Sequence, residues 1–87
     1  MKYITLSNYP NPFSRSTVIS FDLIKEGRVQ LSIYDESGRM IKSLLDQVIP
    51  AGTHNITWET GNLAAGFYTV QLRTEGIVKA HRMVHVK

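Results

Sequence analysis

Apolar residues recur at every second position along most of this chain, which is the period of a half-buried β-strand and not of a helix. In 16–23, Ile19, Phe21 and Leu23 fall on one face while Ser20 and Asp22 fall on the other. In 28–35, Val29, Leu31 and Ile33 oppose Gln30, Ser32 and Tyr34. The stretch 39–45 predicts a third strand, but Ile41, Leu44 and Leu45 break strict alternation, so an edge position or a bulge is expected there. Residues 43–48 show the chain's one hint of helical spacing, too short to change the class. In 53–59, His54, Ile56 and Trp58 share a face; in 67–74, Tyr68, Val70 and Leu72 do. The last strand, 77–86, has conflicting parity around His81-Arg82-Met83, which predicts a bulge or burial on both faces.

Turn chemistry separates these runs. Lys25-Glu26-Gly27, Pro50-Ala51-Gly52 and Glu75-Gly76 read as tight turns, with Gly27 a candidate for positive φ. Asp35-Glu36-Ser37-Gly38 reads as a type I hairpin turn closed by a left-handed Gly38. In Asn8-Tyr9-Pro10-Asn11-Pro12-Phe13 the prolines forbid a helix, and Tyr9 and Phe13 are the groups able to pin the segment to a core. Tyr68, shortly after Leu63-Ala64-Ala65-Gly66, reads as a tyrosine corner, a structural role. The spacing predicts an all-β fold, an Ig-like antiparallel β-sandwich of about seven short strands. Residues 1–7 read as an N-terminal linker remnant with Met1 an added start, and 8–87 as the domain.

The length of 87 residues fits one domain. A chain this short buries only about 60–65% of its unfolded surface, so a net stability on the order of 5–10 kcal/mol is expected. An apolar share of 43% argues against disorder. With no cysteine, disulfides, thiolate metal sites and a cysteine nucleophile are excluded. The net charge of +3 is a mild bias, too scattered to indicate nucleic acid. No run approaches the apolar length of a membrane-spanning helix, and residues 1–7 lack the apolar stretch of a signal peptide.

Reactive chemistry is not indicated. His81 and His85 share a strand face about 13 Å apart, with no carboxylate nearby, and read with His54 as surface or half-buried imidazoles. There is no Gly-x-Ser-x-Gly elbow and no phosphate-cradling glycine loop. Asp35-Glu36 sits in a turn and Glu59 stands alone. Neither an enzyme, a metal site nor a cofactor is expected. Asn55-Ile56-Thr57 matches a glycosylation acceptor but lies inside a strand. Lys79, Arg82 and Lys87 place positive charge on the last strand, either guarding an edge or forming a recognition strip.

Taken in order, these motifs resemble the type A C-terminal sorting domain of type IX secretion substrates. Asn8-Tyr9-Pro10-Asn11-Pro12-Phe13 with Ser16-Thr17-Val18-Ile19-Ser20-Phe21 is similar to its opening and first strand. Val29-Gln30-Leu31-Ser32-Ile33-Tyr34-Asp35 and Gly38-Arg39-Met40-Ile41 look like its central hairpin, and Ala51-Gly52-Thr53-His54 with Trp58 like the next. Leu63, Gly66, Tyr68, Val70 and Leu72 match its Leu-x-x-Gly-x-Tyr-x-x-x-Leu element. Lys79, Arg82, Met83, Val84 and Lys87 resemble its basic end, with His81 and His85 where lysine and leucine are more usual.

The resemblance implies a non-enzymatic signal on exported cargo. It implies transit of the periplasm, passage through the type IX outer-membrane translocon, removal by a sortase-like surface peptidase, and delivery to the cell surface or medium. Neither nucleic acid nor membrane insertion is implied. In the family the signal lies mainly in the C-terminal portion, which points to Gly66, Tyr68, Val70, Lys79, Arg82 and Lys87 for partner recognition, presented by the closing hairpin 67–87. A rival reading is an Ig-like structural or carbohydrate-binding accessory module, with Tyr34 and Phe67 as candidate exposed aromatics. A third is a flagellar-hook-type assembly module, which predicts self-association.

Overall fold

A computed structural model describes residues 5–87. Its strands are β1 (Leu6–Tyr9), β2 (Ser16–Leu23), β3 (Gly27–Tyr34), β4 (Met40–Ile49), β5 (Gly52–Glu59), β6 (Gly66–Thr74) and β7 (Ile77–His85). They form two antiparallel sheets, β1-β2-β5 and β4-β3-β6-β7, packed as a β-sandwich. β1 begins at Leu6, inside the stretch read as a linker; residues 1–4 of that stretch lie outside the described residues.

The core is built from the alternation read above. Ile19, Phe21, Leu23 and Trp58 come from one sheet; Val29, Leu31, Ile33, Tyr68, Val70, Leu72 and Met83 come from the other. Burial of such side chains stabilises by roughly 1.5–3 kcal/mol each before entropy is set against it. Of the two opening aromatics, Phe13 is buried and Tyr9 is 81% exposed. Leu6 and Asn8 are the residues of β1 that turn inward.

β4 is both an edge and bulged. Leu44 and Ile41 are skipped in its register with β3, between Leu31/Ser32 and Ile33/Tyr34, and the hint of helical spacing there is this doubled slip along a strand. The bulge expected in β7 is absent: its register with β6 runs unbroken from Thr74↔Ile77 to Gly66↔His85. The inward parity belongs to His81, Met83 and His85, whereas Val78, Ala80 and Val86 are exposed. Gly27 does not take positive φ; it is an ordinary β3 residue opposite Ile49.

The Asp35 turn forms as read. Gly38 has φ 87° and donates to the Asp35 carbonyl at 3.0 Å. Asp35 Oδ1 accepts from the Ser37 amide, the Ser37 hydroxyl and the Arg39 amide at 3.0, 2.7 and 3.0 Å.

The registers place the turns around 24–26, 50–51 and 75–76 at one pole with the start of β1. The opposite pole carries 10–15, the Asp35 turn, the 60–65 corner and Lys87. The long axis of the domain is 37 Å.

Candidate functional site

The β6–β7 hairpin holds five of the six residues assigned above to recognition, with Lys87 two residues past its end, and the structure divides them. Gly66 opens β6 at φ 152°, a conformation that side-chain-bearing residues rarely adopt. Tyr68 is buried, and its hydroxyl donates to the Ala64 carbonyl at 2.6 Å, which closes the expected corner. Val70 is fully buried. Tyr68 and Val70 shape the hairpin from inside and offer almost no surface, whereas Gly66 is half-buried. Lys79, Arg82 and Lys87 are exposed, and none is in an ion pair among the described residues.

The cations are not gathered into one patch. Lys79 has the inward parity of β7, and Lys87 lies eight residues further on, past the end of that strand. Arg82 lies on the outer face, with its guanidinium 5.0 Å from the Phe67 ring centre. That face continues across Tyr34, Thr69, Gln71 and Arg73 as a shallow concavity. Tyr34 is half-buried, and its hydroxyl donates to Gln71 Oε1 at 3.4 Å. Of the two candidate sugar-stacking rings, Phe67 therefore already carries a guanidinium, and Tyr34 is half-sunk and tied to a neighbour.

β7 is an edge strand, yet half of its free edge is occupied from within the chain. After β1, residues 10–13 leave the first sheet and reach the second. Phe13 lies parallel to β7, donating to the Val84 carbonyl at 2.9 Å and accepting from the Val86 amide at 2.8 Å. The Asn11 side chain mimics one more residue of a strand. Its Oδ1 accepts from the Val84 amide at 2.9 Å, and its Nδ2 donates to the Arg82 carbonyl at 3.4 Å.

The Phe13 ring stacks on the His85 imidazole at 5.3 Å and meets Trp58 at 5.6 Å; Trp58 meets Tyr68 edge-on at 5.7 Å. His85 is buried, with Nδ1 3.4 Å from the Phe13 carbonyl oxygen and Nε2 3.2 Å from that of Leu63. The tail of the chain is thus tied to the opening loop and to the 60–65 corner.

Sequence reasoning placed His85 near the surface and missed the Asn11–Phe13 clamp. Only the two prolines, which bar Asn11–Phe13 from continuing β1 regularly, hinted at it. His54 is half-buried, stacked on Phe21 at 5.4 Å, with Nε2 2.8 Å from the Pro50 carbonyl oxygen.

A family model described as the secretion system C-terminal sorting domain matches residues 7–87. The chain belongs to this family. The sorting domain is a C-terminal signal for type IX secretion, and its family is one of sorting signals and not of enzymes. The match spans both the Asn11–Phe13 clamp and the β7 tail that it holds. Sorting by this system implies a cargo protein and delivery to the cell surface or beyond. No curated protein matches the chain.

Proposed function

We propose that the sorting domain is read through the solvent side of its β6–β7 hairpin by the type IX translocon, after its cargo has entered the periplasm. A sortase-like surface peptidase then separates it from the cargo. The observation that carries this reading is the division within the hairpin. Tyr68 and Val70 hold its shape from inside and Gly66 through its backbone, and Lys79, Arg82 and Lys87 are left exposed and unpaired among the described residues.

A signal that serves unrelated cargoes needs a surface complete in itself, and charges on a rigid hairpin supply selection and a faster encounter. The polarity of the domain fits the role. β1 starts at the pole opposite Lys87, so a cargo domain joined ahead of β1 stands away from the tail. The domain acts as a binding signal, with no catalytic step and no cofactor of its own.

The test is secretion of a reporter fused ahead of residue 5. Replacing Lys79, Arg82 and Lys87 together by Glu, positions exposed to solvent, leaves the fold intact and traps the reporter in the periplasm. Secretion at the unmodified rate, with the variant domain folded, refutes recognition through these cations.

A further inference from the structure

Alternate residues of an edge strand direct both backbone groups outward. In β7 these are the even-numbered residues, because the Val84 carbonyl and the Val86 amide face Phe13 and not β6. The Asn11–Phe13 clamp occupies this edge from the Arg82 carbonyl onward. Upstream, the amides and carbonyls of Val78 and Ala80 have no partner among the described residues.

Of the usual protections of an edge, this open half carries only the charge of Lys79. Such strands are normally short, bulged, capped by proline or lined with charge. Here β7 is regular, and Ile77 and Val78 are 37% and 53% exposed, with Ala80 exposed beside them. Lys79 is the single charge between them, and Arg82 follows on the outer face.

We infer that Val78–Ala80 is an acceptor edge onto which an extended, acidic segment of a partner protein adds as a further strand. This rests on the sorting reading above and names the kind of partner that reads the hairpin. The backbone of Val78 and Ala80 supplies the ladder. An acidic side chain on the added strand lies opposite Lys79.

The same geometry disfavours a second copy of this chain. The antiparallel register that satisfies Val78 and Ala80 on both copies at once is centred on Lys79, and it sets Lys79 against its equivalent. Like charges directly opposite each other on paired strands are destabilising. The edge is therefore open to an acidic strand and closed to itself.

The probe is a synthetic peptide alternating Glu and Val, with a Lys and Val counterpart as control. Each is titrated into the whole 15N-labelled chain and followed by amide shifts and hydrogen exchange. The acidic peptide shifts the Val78 and Ala80 amides and slows their exchange about fivefold or more, the size expected for a hydrogen bond gained. The lysine peptide does neither.

Lys79→Glu exchanges the two preferences. Val78→Pro removes an outward donor at a position where an edge strand accepts proline, so the β6 register persists and acidic-peptide binding is lost. Unchanged Val78 and Ala80 amides with the acidic peptide, equal binding of the lysine peptide, or self-association of the unmodified chain through this edge overturns the inference.

The titration reads the edge without secretion, so the two readings fail separately. Unperturbed amides beside a secretion defect of the charge-reversed fusion remove only the edge. Peptide binding beside normal secretion of that fusion removes the sorting surface.

Discussion

The backbone N–H of Val84 donates to Oδ1 of Asn11 at 2.9 Å, across 73 residues of chain. One amide side chain thereby takes the place of a backbone residue and joins the opening of the domain to its closing strand. Asn11→Ala leaves the Val84 amide and the Arg82 carbonyl without this partner. A loss of about 0.5–1.5 kcal/mol in urea denaturation is expected. Hydrogen exchange at Val84 accelerates by more than the global loss accounts for, while exchange at buried Val70 follows global unfolding.

Phe13 carries more of the same junction. Its ring is 2% exposed between Trp58 and His85. Phe13→Ala leaves a cavity at the pole where the tail ends, and a cost of about 3–5 kcal/mol is expected. For a domain with a total on the order of 5–10 kcal/mol this removes much of the stability. Thermal unfolding by circular dichroism measures it, and Tyr9→Ala, at an 81% exposed ring, is the matched control with little effect.

The strands were legible because each has a buried and a solvated face, so period two is written directly into 16–23, 28–35, 53–59 and 67–74. The Asp35 turn and the Tyr68 corner were legible because their partners lie within a few residues. The tail was not. In β7 the outer positions carry Val78, Ala80, Arg82 and Val84, and the inner ones carry Ile77, Lys79, His81, Met83 and His85. Apolarity therefore does not decide the face. What decides it is distant: Met83 enters the core, and His85 is held by the carbonyls of Phe13 and Leu63. The clamp was hidden for the same reason, since Asn11 and β7 are far apart in sequence and no local pattern links them.

The corner at Tyr68 tests whether the recognition hairpin depends on its interior. Tyr68→Phe keeps the ring between Trp58 and His85 but removes the donor to the Ala64 carbonyl. The expected cost is about 1 kcal/mol. Gly66→Ala meets ordinary space, with Glu36 Oε1 3.6 Å from the added methyl, but must hold φ near 152°. Backbone strain of about 1–3 kcal/mol is expected there. Both variants shift the denaturation midpoint. If Gly66 and Tyr68 act only through the fold, each fusion is secreted in proportion to its folded fraction and not below it.

Acid sensitivity follows from two carboxylates that accept several hydrogen bonds each. The Thr53 hydroxyl, with that of Thr5, lowers the pKa of Asp22 from its ordinary value. The Ser37 hydroxyl lowers that of Asp35, helped by the Arg39 amide and by the Arg39 charge. A carboxylate depressed on folding contributes stability above its unfolded pKa and loses it as pH falls through the folded value. The window thus opens near pH 4 and extends downward. Between neutrality and pH 5 the unfolding midpoint is expected to hold steady as far as these groups decide it; below pH 4 it falls. Asp35→Asn with Asp22→Asn lowers the midpoint at neutral pH and flattens the fall below pH 4. Thermal unfolding of both proteins from pH 2 to 7 checks this, and parallel curves would assign the acid response to other groups.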